Sequence, residues 1–217
     1  MRINIKILLI LGIIGSCLWV ISDYMIYFLP NGFLKGSLLT DNELLSVVLK
    51  DSPLWRFTTS AIVQSLGMVL VMLGYLSISF ILHQNKIMSI LSLIGGMMSA
   101  ILGAVYHVIY VVAVWYYIKD GMTLNSYELF QNIFDANNLL MTICGLGFTL
   151  LGVVLFIAVV KGKTNLPKWA CIFNLMIIYI IFDFFKFPAH ISTGCVIMFD
   201  ALYVFEKNKY IELTNSK

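Results

Sequence analysis

Asp23, His107, Asp183 and Asp200 are ionisable side chains set inside long apolar runs, and Arg56 opens another, with Gln64 deeper in it. Charges are costly in hydrocarbon, so such groups usually face a bundle interior or water and mark places where ligands, ions or protons are handled. Carboxylates, an imidazole, a guanidinium and an amide suit three chemistries: metal ligation, proton transfer, and hydrogen-bonded capture of a small polar molecule.

Spacing gives the first two little support. A zinc hydrolase of the intramembrane ceramidase or receptor-like type needs three histidines or equivalent ligands converging with a carboxylate. His83 falls at the end of its run, which leaves His107, His190 and carboxylates, and the HxxxH spacing of that superfamily is missing. Neither a GxSxG elbow nor a rhomboid-like GxSG is present. Asp183 and Asp200 lack the Tyr-Asp and Gly-x-Gly-Asp contexts of presenilin-like aspartyl proteases, and no P-loop or dinucleotide fingerprint occurs. Cys17, Cys144, Cys171 and Cys195 show no CxxC or Cys/His metal spacing and read as small packing residues. No cofactor is expected, and a metal-dependent hydrolase ranks last among the readings.

The elements that must position these groups follow from hydropathy. A helix crosses the hydrocarbon core with about 20 apolar residues, and runs of that kind lie at 7–29, 54–82, 87–118, 137–160, 169–187 and 190–206, the last being short and polar at its start. They are continuously apolar, whereas barrel strands alternate over about ten residues. The expected fold is all-α: one membrane domain over 1–217, an antiparallel bundle of six transmembrane helices. Hydrophobic residues at 60% and charged residues at 12%, with a mean hydropathy of +0.94, exclude an ordinary soluble domain.

With the N-terminus inside, the inner segments carry Arg2, Lys6, Lys86, Lys161, Lys163, Lys168, Lys207, Lys209 and Lys217, against Lys35, Lys50, Arg56, Lys119 and Lys186 outside. That bias places both termini in the cytoplasm. The net charge of +3 therefore reports topology and points to no nucleic-acid partner. Lysine outnumbers arginine twelve to two, the bias of an AT-rich bacterial genome, so the expected address is a bacterial plasma membrane. Arg2, Lys6 and Ile14-Gly15-Ser16-Cys17 imitate a lipoprotein signal, but the apolar stretch continues to Leu29, which argues against cleavage.

Both long loops lie outside. Thr40 and Glu43 resemble a capping box ahead of a short surface helix, and residues 126–135 suggest a second such helix. Both read first as interfacial lids sealing the bundle.

Depth then separates the polar groups. At about 1.5 Å per residue, Asp23 lies roughly 9 Å below the outer end of its helix, His107 roughly 16 Å, and Gln64 about 12 Å below Arg56. Asp183 and Asp200 belong to the same outer half, Asn137 and Asn138 open the fourth run, and the inner half offers little beyond Asn174. Helical periodicity groups Gly12, Ser16 and Asp23 on one face, Arg56, Ser60, Gln64 and Gly67 on a second, and Gly96, Ala100, Gly103 and His107 on a third. Tyr179 with Asp183 and Thr193 with Asp200 share faces further on. Asp23 with Arg56, and Asp183 with Lys186, are the natural ion pairs.

Ser22-Asp23-Tyr24, Pro53-Leu54-Trp55-Arg56 and His107 together resemble an uncharacterised family of small bacterial six-helix membrane proteins. The resemblance spans most of the chain and implies membrane location and helical architecture.

The function expected is binding of a small polar or amphipathic molecule in an outward-opening intramembrane cavity, as a receptor, carrier or lipid-handling protein, with Asp23, Arg56, Gln64, His107, Asp183 and Asp200 as ligand-binding residues and membrane lipid as a partner. The alternative is a structural or interaction protein whose charges only fix helix packing. His107 is the residue expected to make binding pH-dependent between about 5 and 8.

Overall fold

The computed structural model describes residues 2–3, 5–164, 166–184 and 211–212. Its long elements are α1 (Ile5–Tyr27), α3 (Leu54–Ile81), α4 (Lys86–Lys119) and α5 (Leu124–Val160), with a short α2 (Asn42–Leu49) between α1 and α3 and α6 (Leu175–Phe184) after α5. Four helices among the described residues are long and apolar enough to cross a membrane. The chain is all-α and bundle-like. Of the six expected spans, the first three match to within two residues, while 190–206 lies outside the described residues.

Two of the expectations need correction. The fourth span does not begin at 137: residues 124–136 and 137–160 form the single 37-residue helix α5. No glycine or proline interrupts 124–144, so nothing stops the helix at the membrane border. The span expected over 169–187 is broken instead. A 3-10 turn (Lys168–Phe173) leads into α6, and Asn174 caps α6 through Oδ1, which accepts from the Met176 amide at 3.0 Å.

The long helices run up and down, with α1 packed along α3, α3 along α4 and α4 along α5. Two glycine pairs allow the closest approaches, Gly15 with Gly67 between α1 and α3, and Gly95 with Gly147 between α4 and α5. A Cβ on Gly95 would meet the Gly147 carbonyl oxygen at 2.8 Å. Small residues that bring backbones together are the usual means of helix association in lipid, where burial of apolar surface gives no drive.

The end carrying the 28–53 connection is the upper end, and the end where α1 begins is the lower. The upper end is closed by chain outside the helices. A two-residue hairpin pairs β2 (Phe28–Leu29) with β3 (Gly32–Phe33), and α2 follows, capped by Asp41, whose carboxylate accepts from the Glu43 and Leu44 amides at 3.0 and 3.1 Å. Asp41, not Thr40, is therefore the N-cap. The Tyr117 hydroxyl donates to Asn42 Oδ1 at 2.6 Å, and Tyr127 and Gln131, on the upper extension of α5, both donate to the Leu39 carbonyl. Leu34, Leu45, Leu49, Phe57, Val114, Tyr117 and Phe130 make the apolar core beneath this cap.

A second apolar core, with Leu9, Val71, Ile78, Ala100, Leu151 and Leu155, fills the lower half. The polar side chains of interest lie in the layer between the two cores. At the lower end, β1 (Arg2–Ile3) pairs antiparallel with β4 (Ile211–Glu212), Arg2 opposite Glu212.

Candidate functional site

Ser22 lies two helical turns above Gly15 on α1, and Ser60 two turns above Gly67 on α3. Because α1 and α3 are antiparallel and touch at the glycines, the two serines must meet. Each hydroxyl donates to the other's backbone carbonyl at 3.0 Å, and the two oxygens are 2.9 Å apart. His107 closes the junction from α4, its Nε2 lying 3.0 Å from Ser22 Oγ and 3.2 Å from Ser60 Oγ. Three helices are thus tied at one point, and all three side chains are buried.

A count of protons orders this knot. Each serine has one hydroxyl proton. With both directed at the opposite carbonyls, neither remains for the imidazole, so Nε2–H is the donor, shared between two hydroxyl oxygens. Nδ1 is then left as an acceptor.

Gln64 lies one turn below Ser60 on the same face of α3. It is 1% exposed, and its Oε1 has no hydrogen-bond partner among the described residues. Ser16 Oγ on α1 is likewise buried and without a partner there. Asp23 is buried on α1 beside Ser22. These groups, with His107, form one polar layer.

Arg56 sits elsewhere and does something else. Its Nη2 donates to the Tyr24 carbonyl at 3.1 Å and to the Phe28 carbonyl, and its Nε donates to the Met25 carbonyl. The last carbonyls of a helix lack intrahelical donors and carry the negative end of its dipole, so Arg56 caps α1. Among the described residues its hydrogen bonds go to these carbonyls, where the sequence suggested an ion pair with Asp23. Asn137 and Asn138 lie in the body of α5, not at its start. Asn137 Nδ2 donates to the Tyr106 carbonyl at 3.0 Å. Asp183 falls in α6, with its side chain outside the described residues, as are Asp200, His190, Lys186, Thr193 and Cys195 entirely.

Ser60 and His107 are legible from helical periodicity, whereas Ser22 as their partner is not. Nor is a second reciprocal pair in the lower half, Ser79 on α3 and Ser89 on α4, whose hydroxyls donate to each other's carbonyls at 2.9 and 2.8 Å. Serine is too common in helices for its spacing alone to signal such contacts. The usable clue is a serine the same number of turns from a glycine on two consecutive antiparallel spans.

Chemically, the Ser–His distances are those of a nucleophile beside a base. The hydroxyl protons are committed to carbonyls, however, and the surrounding backbone N–H groups are used within helices, so nothing among the described residues offers an oxyanion hole. Nor do the described residues contain a group of three His, Cys, Asp or Glu side chains able to hold a metal ion. The arrangement is suited to hydrogen bonding.

A family of unknown function, DUF6796, matches residues 1–200. The chain belongs to that family. No curated protein and no solved structure matches it. Membership of DUF6796 agrees with the family-level resemblance read from Ser22-Asp23-Tyr24, Pro53 to Arg56 and His107, all of which lie in the matched region.

Proposed function

We propose that this protein binds a small polar or amphipathic molecule in the polar layer between its two apolar cores, acting as a receptor, carrier or lipid-handling protein. One observation carries the reading. Buried beside the Ser22–Ser60–His107 knot is the Gln64 amide, whose Oε1 has no partner among the described residues. An unmade hydrogen bond at a buried group costs about 1–3 kcal/mol, a cost that a ligand donor would remove. Asp23, Gln64 and His107 are the ligand contacts assigned to the layer, with Asp183 and Asp200 assigned to the same half from sequence. Arg56 contributes by holding the top of α1 in place. The cap formed by 28–51 covers the upper core, so entry from the aqueous side requires its displacement.

The reading extends to topology. Six spans in a bacterial plasma membrane, with both termini cytoplasmic, agree with the lysine bias and with the pairing of Arg2 and Ile3 to Ile211 and Glu212. The chain stands at the lower end at Lys161 and again at Ile211, which is where the two further spans expected from sequence would leave it. The upper end is then extracytoplasmic.

Cysteine accessibility tests the proposal. In a chain with its four cysteines replaced, Gln64→Cys is expected to react with a membrane-impermeant thiol reagent added outside intact cells. Labelling only from the cytoplasmic side, or none even after mild heating, would contradict an outward-facing site.

A structural role is the second reading, favoured by the complete burial of Ser22 and Ser60. In that case the knot fixes helix register and the cap docks a partner.

A further inference from the structure

Resting on the ligand-binding reading, the α4–α5 side of the polar layer identifies the class of ligand. Asn137 is 3% exposed. Its Nδ2 donates to the Tyr106 carbonyl at 3.0 Å, which fixes the amide's orientation, since the flipped form would set two oxygens against each other. Its Oδ1 therefore points elsewhere, and it has no hydrogen-bond partner among the described residues.

Aromatic rings line the stretch of α4 that Asn137 bonds to. The rings of Tyr106 and Tyr110 stack with centroids 6.3 Å apart and planes 5° from parallel, and Phe134 meets Tyr110 edge-on at 6.2 Å. Tyr27 approaches from α1: it interacts electrostatically with Asp23 and Tyr106, and Tyr110 interacts with Tyr27 and Tyr106. α1 and α4 thus bring three tyrosines and a carboxylate together on the side of the layer where Asn137 bonds to the Tyr106 backbone. A cation brought beside Asp23 favours the ionised carboxylate, and the attraction does not require that carboxylate to be unbonded.

This set offers acceptors, π faces and negative charge. An anion would be repelled by Asp23, and a neutral hydroxyl would gain a single hydrogen bond. An ammonium gains an N–H···O bond at Asn137, attraction to the carboxylate and cation–π contact with tyrosine faces. Tyr106 is only partly buried and its neighbour Val105 is exposed, so the site borders the bilayer. We infer that Asp23, Tyr27, Tyr106, Tyr110 and Asn137 form a site for the ammonium head of an amphipathic amine, with its tail in the adjoining lipid.

Titration calorimetry on the full chain in nanodiscs, with empty nanodiscs subtracted, tests this with octylammonium, octyl sulfate and 1-octanol. Octylammonium is expected to bind saturably and at least about tenfold more tightly than either other probe. Asn137→Leu is expected to weaken it by about tenfold or more. So is Tyr106→Leu, a replacement that removes a ring whose side chain holds no hydrogen bond among the described residues. Equal or tighter binding of octyl sulfate or octanol would overturn the ammonium assignment while leaving a small-molecule site in place. Saturable binding of none of the three would remove both. Unchanged octylammonium affinity in the two folded variants would place the site elsewhere.

Discussion

A Cβ on Gly15 would stand 2.5 Å from the carbonyl oxygen of Gly67, and one on Gly67 would stand 2.8 Å from the carbonyl oxygen of Gly15. The obstacle in each case is backbone, which no rotamer change can clear. This contact sets the distance between α1 and α3, and therefore whether Ser22 and Ser60 can reach each other and His107.

Gly15→Leu is expected to force α1 from α3 and to destabilise the fold by about 1–3 kcal/mol or more, the usual range for overpacking. Gly145→Ala is the control, because a Cβ there meets nothing within 4 Å. It should be neutral or slightly stabilising, since glycine within a helix costs about 0.5–1 kcal/mol relative to alanine. Unfolding by a graded denaturing detergent would rank the two variants, and equal midpoints would refute the role given to the glycine contact.

Arg56→Gln should lower stability by about 1.5–3 kcal/mol per charged hydrogen bond fully lost, and by less where water or lipid headgroups compensate. Adding Asp23→Asn should not restore it, because Arg56 donates to the Tyr24, Met25 and Phe28 carbonyls. A double variant that recovers most of the loss would reinstate the ion pair expected from sequence.

Much of the architecture was legible because apolar runs of spanning length carry a strong signal, and the first three spans were placed closely by it. The faces of α1, α3 and α4 were legible too: Gly12, Ser16 and Asp23 are all buried, as are Ser60, Gln64, Gly67, Gly96, Ala100 and His107. What failed was reading the polar segment 126–135 as separate from the apolar one after it, since a helix continues through polar residues wherever nothing breaks it. Arg56 misled for a different reason. A basic side chain near a carboxylate suggests a salt bridge, but backbone acceptors at a helix end are invisible in sequence. Ser22 was missed because its meaning depends on a register that only the Gly15–Gly67 contact fixes.

The Ser22–Ser60 pair should show coupling. In a double-mutant cycle, Ser22→Ala and Ser60→Ala each remove one donor, and the coupling energy is expected near the 0.6 to about 1.7 kcal/mol seen for hydrogen bonds between membrane helices. Strict additivity would mean that the two hydroxyls act independently.

His107 should hold its proton on Nε2. Nitrogen-15 NMR of labelled protein at neutral pH is expected to show a protonated Nε2 and an unprotonated Nδ1. The opposite tautomer would mean that a serine donates to the ring, and would break the proton count that makes Nδ1 an acceptor. Titrating ligand binding in wild type beside His107→Gln between about pH 5 and 8 then decides the switch: overlaid profiles would remove His107 from that role.

The central claim, that the polar layer holds a small molecule, is tested most directly by native mass spectrometry of the gently purified full chain beside Gln64→Leu. The account predicts a discrete bound adduct on wild type that is lost or sharply reduced in the variant, with both chains equally folded. Wild type released with no adduct from any mild detergent, or an adduct carried equally by Gln64→Leu, would contradict it.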